Sequence, residues 1–398
     1  MSQQHTSVPP GAVDGLGPRQ VGAILFITLM FLLTFLARLI FAPLLPAMEA
    51  ELGMAHTASG SLFLFASLGY GLAILGSAWV ASWLEHRRVI LLSALGVSAA
   101  LGMAAASSGV WGLRLGLFLI GAAGGLYLPS GVASITSLVG RGSWGRAMGI
   151  HELAPNLSFV IAPFGAELLL SWISWRGVLA CLAVVVLACG LAFGRWGRGG
   201  AFRGQAPERS MFLATVHLPA VWLLGLLIAL GIGASLGVFT MLPLFLMDDH
   251  GFTRSQANLL LGLSRLSCPL VAFASGWVSD RLGPRRAMAW VLAVGGGLTL
   301  GLGLVPGSWV VLLVFLQPAV CIGIFPPAFA ALSQVTPPQR RNLAVALAVM
   351  LAAALGGGMI PLALGALGDH HLFGAGIALV GGMLWSGLLL VARLRLPE

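Results

Sequence analysis

Residues Gly276 to Arg286 read G-W-V-S-D-R-L-G-P-R-R and lie between two long apolar runs. One acid, three arginines and two glycines fall together here, in a chain of which only 8% is charged. Such a cluster has to sit where water reaches it. Moved back 198 positions, from 276 to 78, it lands on Ala78 to Arg88, A-W-V-A-S-W-L-E-H-R-R, which is also between apolar runs. Trp277 then falls on Trp79, and Arg285-Arg286 on Arg87-Arg88. The offset is close to half of the 398 residues, so the stretch predicts a duplicated chain.

Composition names the solvent. The chain is 58% hydrophobic with a mean hydropathy of +0.98, where a soluble domain is about 45–50% apolar and about 25% charged. Lipid is therefore the expected surrounding, and the 55 glycines suit close helix contact there. All basic residues are arginine, and they fall in short segments between apolar runs, which is no nucleic-acid footprint despite the net charge of +9. Cys181, Cys189, Cys268 and Cys321 lie inside apolar runs without metal-ligand spacing and read as small core residues, so no metal or other cofactor is expected. Neither a phosphate-cradling G-x-x-x-x-G-K-[ST] nor an H-E-x-x-H occurs, and no enzyme is expected.

A spanning helix needs about 20 apolar residues. Twelve runs qualify: 21–45, 57–83, 89–107, 110–138, 147–171, 176–194, 219–246, 255–279, 287–305, 308–335, 342–366 and 372–394. The expected fold is an all-α membrane protein of twelve helices. Residues 1–20 read as a disordered cytosolic tail, 21–194 as a first six-helix bundle, 195–218 as a cytoplasmic linker and 219–398 as a second bundle. With both termini inside, Arg19, Arg87, Arg88, Arg141, Arg146, Arg195, Arg198, Arg203, Arg209, Arg281, Arg285, Arg286, Arg340, Arg341, Arg393 and Arg395 are inside, and only Arg176 and Arg254 outside. That bias fixes the expected orientation, in a bacterial-type inner membrane. The same offset pairs Gly125 with Gly323, Pro129 with Pro327 and Pro163 with Pro361. Two six-helix repeats around one site are a transporter architecture.

At this point the chain resembles the major facilitator superfamily, whose loop motif G-x-L-A-D-R-x-G-R-R/K is matched by Gly276-Trp-Val-Ser-Asp280-Arg281-Leu-Gly283-Pro-Arg285-Arg286. The resemblance covers roughly residues 20–395. It implies that Gly276, Asp280, Arg281 and Gly283 belong to an inside gate, with Asp280 meeting the start of the fifth helix near 145–149. A carboxylate is stabilised at such a positive helix end. The first copy departs from the motif: Ser82 stands for Asp, Trp83 for Arg and Glu85 for Gly. The two halves should therefore latch unequally. The fifth helix also lacks the G-P-x-x-G-G pattern of proton-coupled drug exporters.

Ionisable groups inside spans are costly and mark function. Arg265 lies near the middle of the eighth span, and its repeat partner is Ser67. A guanidinium grips carboxylates bidentately and stays charged. No acid lies near Arg265 in its own helix, so the counter-charge is expected from the substrate. Members of the resembled family that carry monocarboxylates, oxalate or formate place an arginine in this helix. Arg38 resembles the first-helix arginine of organic-anion members, and Arg114, near the outer surface, is expected to snorkel. His151 and Glu152 in the fifth span suit proton handling, since a desolvated carboxyl titrates up toward histidine. Asn156 shares the face of Glu152. Asn156, Tyr127 and Gln317 are expected to line the cavity with Arg265 and Arg38. His370 and His371, beside Asp369, read as solvated. The expected function is proton-coupled transport of a small organic anion, a carboxylate, by a chain acting as a monomer in the bilayer. The alternatives are a proton-coupled exporter using Glu152 and Glu167, and a non-transporting membrane sensor.

Overall fold

The computed structural model describes residues 16–394 and 396. Residues 1–15 of the expected tail and Arg395 lie outside them. Among the described residues no β-strand occurs, and twelve helices are long and apolar enough to cross a bilayer. They are α1 (Pro18–Leu52), α2 (His56–Trp83), α3 (His86–Ala105), α4 (Val110–Leu138), α5 (Arg141–Leu170), α6 (Trp175–Trp196), α7 (Pro219–Asp248), α8 (Arg254–Leu282), α9 (Pro284–Leu304), α10 (Trp309–Val335), α11 (Pro338–Gly368) and α12 (Phe373–Arg393). Each matches one expected run. The first helix begins inside the expected tail and extends past residue 45 to Leu52, because Pro43 and Pro46 sit in a second segment, Phe41–Leu52, that starts afresh after Ile40. Pro43 lies in the first turn of that segment, where a helical N–H has no partner to lose, while Pro46 lies inside it.

Exposed tryptophans mark two interfaces. Trp111, Trp172 and Trp309 stand at the helix ends of the arginine-poor face, and Trp83, Trp196 and Trp290 at those of the arginine-rich face. Amphipathic rings settle at headgroup depth, so two such belts are what a bilayer selects. Of the cysteines, Cys268 and Cys321 are buried as expected, but Cys181 is exposed on the outward side of α6.

The repeat is visible in its contacts. Arg87 donates to the Gly194 carbonyl at the end of α6 at 2.9 Å. Arg285, 198 residues on, donates to the carbonyls of Val391 and Ala392 at the end of α12 at 3.1 and 2.8 Å. Each guanidinium satisfies carbonyls that a helix C-terminus leaves unpaired, and its charge complements the dipole there. These paired arginines are therefore scaffold. Gly283 takes a left-handed φ of 83° between α8 and α9, a conformation glycine adopts without cost. Glu85 at the matching point has an ordinary φ of −61°, so the first copy does not need glycine.

The segment 195–218 is more ordered than a linker. α6 runs to Trp196, and Arg209–Val216 forms a further short helix. Between them the chain is laced to the α2–α3 turn: the His86 and Arg87 N–H groups donate to the Phe202 and Gly200 carbonyls at 3.0 Å each, and the Gly204 N–H to the Ala81 carbonyl at 2.8 Å. The His86 and Phe202 rings meet edge to face at 4.9 Å. The turn that lost the charged motif thus gained a backbone partner.

Across the seam between the halves, α2 lies against α11, and the second segment of α5 (Leu153–Leu170) against the first segment of α8 (Arg254–Leu263). The α5–α8 contact and the outer part of the α2–α11 contact close the arginine-poor face, and α2 also meets the inner segment of α11 at Met350. On the arginine-rich face the first segment of α5 (Trp144–His151) has its principal neighbours in its own half, as does the second segment of α8 (Cys268–Leu282). The molecule is closed on the arginine-poor face and parted at the α5–α8 seam on the other.

Candidate functional site

Six of the twelve helices lose regular geometry partway along, and those interruptions define the site. α5 breaks at Glu152 and α8 at 264–267. Pro155 and Pro269 follow these breaks by a few residues, where a proline ring collides with the carbonyl four positions back. α1 breaks at Ile40, and α10 has a tight turn at Ile322–Ile324. α7 and α11 widen into π-helical turns at Gly233–Gly237 and Ala353–Met359. At membrane depth irregular backbone is tolerated only where protein or a cavity satisfies it, and π turns cluster at functional sites.

Arg265 sits in the α8 break and is 3% exposed. Its guanidinium packs against two touching rings, Phe159 of α5 at 4.6 Å and Phe239 of α7 at 4.7 Å, one from each half, whose own centres are 4.9 Å apart. Nη2 donates to the Ser235 carbonyl in the π turn of α7 at 2.6 Å. Nε and Nη1 are buried without a hydrogen-bond partner. Among the described residues no carboxylate pairs with Arg265. A buried cation costs several kcal/mol, and each desolvated cation–π contact returns about 2 kcal/mol. Of the guanidinium's two bidentate edges, Nε/Nη2 and Nη1/Nη2, only one has lost a hydrogen to Ser235. The other edge is whole. The segment Cys268–Leu282 begins at the same break, so its positive end adds to the potential there.

The π turn is itself braced. Gln317 donates through Nε2 to the Ala234 carbonyl at 2.9 Å and to Thr299 Oγ1 at 3.0 Å. Gln317 is thus a support beneath Arg265 rather than a free lining group. Arg38 lies in the other half, half-buried, with its guanidinium 4.1 Å from the centre of the Tyr70 ring and 5.4 Å from that of Phe35. It turns inward and does not snorkel, and among the described residues it has no ion-pair partner. Arg114 stays near the arginine-poor edge over Trp111 at 4.5 Å and donates to Ser61 Oγ at 2.9 Å. Phe35 and Phe159 pack edge to face at 5.8 Å, so one aromatic path joins Arg38 to Arg265.

That path branches to the fifth helix. Phe31 meets Phe35 at 5.8 Å and stacks on the His151 ring at 4.5 Å. His151 is fully buried, with Nε2 3.2 Å from the Tyr127 hydroxyl and Nδ1 3.7 Å from Glu152 Oε1. Tyr127 is not a cavity residue: it is fully buried, and its hydroxyl donates to the Ile27 carbonyl at 2.5 Å. The break after His151 lets two adjacent residues part, the imidazole inward and the Glu152 side chain 59% exposed toward the parted seam. Asn156 caps Glu152, its amide donating to the Glu152 carbonyl at 2.8 Å. Glu167 stands elsewhere, at the closed seam, where Arg254 and Asn258 donate to it at 3.1 and 2.9 Å. Asp280 is exposed without a hydrogen bond or ion pair among the described residues, so the expected contact with 145–149 is not made in this conformation. Arg281 lies over its neighbour Trp277 at 3.8 Å, and Gly276 faces Pro326 of α10.

Sequence reasoning missed Tyr70, Phe31, Phe35, Phe159, Phe239 and Ser235. Tyr70 carried a signal, being one of two tyrosines in the chain. Phenylalanine in an apolar run carries none. The surface grooves lie elsewhere: one between α7, α11 and α12, lined by Leu226, Leu230, Met359 and Met383, is apolar and holds no charged residue.

Comparison with known proteins agrees with this architecture. A bacterial homolog of the human lysosomal transporter Spinster, in an inward-facing and occupied conformation, superposes with a TM-score of 0.76 at 16% identity over 95% of this chain and 96% of that one. A peptide transporter, POT, in complex with sulfate gives 0.75 at 17% over 96% of each chain. In sequence, the "Nitrite extrusion protein" of Bacillus subtilis (strain 168) is 25% identical over 215 residues, 53% of either chain. The "Probable nitrate/nitrite antiporter NarK1" of Thermus thermophilus is 24% identical over 299 residues, 72% of this chain and 67% of that one. This chain thus spans about half to two thirds of the length of these relatives. The model of the Major Facilitator Superfamily matches residues 27–361 and again 221–398. With twelve spanning helices, two matching halves and this family model over most of its length, the chain belongs to the Major Facilitator Superfamily.

Proposed function

We propose that this secondary transporter carries a small planar oxyanion, bound between Arg265 and Arg38 and released by alternating access. The observation that carries this reading is the Arg265 guanidinium, buried and unpaired, with one bidentate edge whole. Two coplanar acceptor oxygens match that edge. Carboxylate, nitrite and nitrate all present such a pair. The names of the relatives favour the inorganic anions, and the family resemblance of α1 and α8 favours carboxylates. Gln317 and Tyr127 act as positioning residues, holding the α7 turn and His151.

Glu152 and His151 carry the proton in this scheme. Glu152 is the acid at the parted seam, and His151 links it to the fully buried network. The arginine bias puts the arginine-rich face in the cytoplasm, so the conformation described is open inward, with Asp280 meeting the α5 start in the opposite state. The chain functions as a monomer.

Uptake into proteoliposomes under an imposed pH gradient tests the reading, with nitrate, nitrite, formate and acetate as separate arms. Wild-type protein should accumulate at least one of them, Arg265→Ala none, and Glu152→Gln should exchange anion without responding to the gradient. Undiminished uptake by Arg265→Ala would sink the site assignment.

A further inference from the structure

The closed face is sealed by two cross-seam pairs whose basic members stand at equivalent positions of the repeat. At the start of α8, Arg254 of the second half reaches Glu167 of the first at 3.1 Å. At the start of α2, 198 residues earlier, stands His56, whose Nε2 reaches Asp248 of the second half at 2.8 Å. One pair holds a cation that persists at every working pH and the other an imidazole. The His56 ring is bound on its other side as well, with Nδ1 3.0 Å from Glu49 Oε2.

A neutral imidazole has one N–H, and an ionised carboxylate only accepts. Two short contacts, one at each ring nitrogen, therefore hold one proton more than a neutral histidine between two carboxylates. Every charged group facing the ring is acidic: Glu49 from α1, Asp248 from α7 and Asp369 from the α11–α12 turn, which accepts from the His56 and Thr57 N–H groups at 2.7 and 3.1 Å. Asp249 lies one step away on the Gly374 N–H at 3.0 Å, and α12 contributes only the Phe373 ring, 5.0 Å from the imidazole. Ser59 Oγ holds Glu49 in place at 2.5 Å. Without the extra proton, Glu49 of one half would face Asp248 and Asp369 of the other with only a neutral imidazole, and one N–H fewer, between them.

We propose that His56 is a proton-binding site built into the gate on the arginine-poor face. Uptake of one proton ties Glu49 to Asp248 and holds that face shut; loss of the proton releases it. The pair made by Arg254 is the untitratable half of the same seal. The proposal needs no substrate, so it stands or falls apart from the anion reading.

The test is the distance between spin labels at Ser108 and Ser308, exposed in the α3–α4 and α9–α10 turns of that face, in nanodiscs from about pH 5.5 to about 9. In the wild type the open-to-closed ratio should rise with pH, by up to about tenfold per unit, the slope of one linked proton. His56→Arg copies the other half of the repeat and should stay closed throughout. Asp248→Asn removes one of the charges that hold the proton and should move the midpoint to lower pH. A wild-type distance that does not change with pH, or a His56→Arg protein that keeps the wild-type slope, overturns the proposal. If His56→Arg does not fold, Asp248→Asn decides: an unmoved midpoint overturns it.

Discussion

The closed face depends on two glycines, and Gly60→Ala should open it. A Cβ built on Gly60 of α2 lies 2.3 Å from the Pro361 carbonyl oxygen of α11, and one on Gly365 lies 2.2 Å from the His56 carbonyl oxygen. The contact is reciprocal, each glycine facing backbone of the other helix one turn from its partner. Small residues allow such approach in lipid. The atoms that would be struck are backbone, so no rotamer change relieves them. Ordinary contact begins at 3.4 Å, so the helices must separate by about 1 Å, a gap that forfeits a quarter to a half of each dispersion contact around it. Forcing an extra carbon into such packing costs about 1–3 kcal/mol. That cost falls only on the closed conformation, because the α2–α11 contact is what separates when this face opens. The open-to-closed ratio should therefore rise by about 5- to 150-fold.

The label pair at Ser108 and Ser308 reads this directly, at a fixed pH with the closed population dominant. Gly365→Ala should act alike, and the double variant should cost less than the sum, since the first separation makes room for the second methyl. Gly76→Ala is the control, because nothing lies within 4 Å of a Cβ there. A Gly60→Ala protein that is folded and keeps the wild-type distance distribution would refute the reasoning: the seal would then tolerate a methyl group, and close backbone contact would not be what closes it.

Other perturbations reach the site, the seal and the linker. Arg265→Lys keeps the charge but loses the two-oxygen edge. One charge-assisted hydrogen bond is worth about 1.5–3 kcal/mol, so anion affinity measured by calorimetry should fall by about 10- to 150-fold. Burial pushes the Asp369 carboxyl up, but hydrogen bonds from Thr57 and His56 and the His56 charge outweigh it and leave it below its ordinary value. Its contribution to closure is thus present above the ordinary carboxylate range and lost as pH falls through the lowered value, so closure should weaken on strong acidification in wild type and to a smaller extent in Asp369→Asn, which keeps the other carboxylate pairs of the seal, read by the same labels. Phe202→Ala removes the ring that meets His86, and trypsin should then cut after Arg198 or Arg203 several-fold faster, with the helices themselves still resistant.

How much of this was legible in the sequence follows from what each feature costs in lipid. Charge is so expensive there that Arg265, Arg38 and Glu152 were visible as exceptions, and the run lengths alone placed all twelve helices. The aromatic path was not legible, because Phe35 and Phe159 have the composition of their surroundings and differ from other phenylalanines only in what they touch. Nor was the support role of Gln317, which depends on a π turn written in residues, Gly233 to Gly237, that also form ordinary helix. The breaks in α5 and α8 did have a sign, Pro155 and Pro269 inside otherwise spanning runs.

The repeat separates scaffold from chemistry, but by geometry more than by residue identity. Where the halves agree, as in Arg87 and Arg285, the side chain ties one helix end to another in each half and touches no site. Where they differ at one position, the backbone can differ too: α8 breaks at 264–267, while the matching residues 66–69 of α2 are continuous helix, and Ser67 stands where Arg265 does. A guanidinium at Ser67 would have no break to occupy, so the arginine and its interruption form one feature. His56 and Arg254 are a third case, equivalent in place and partner type yet different in chemistry. A search for residues present in only one half finds Arg265 and passes over His56, because the repeat keeps a cation at that position in both halves. The difference that matters there is whether the cation can lose its proton, and it shows only when both ring nitrogens are seen against carboxylates from opposite halves.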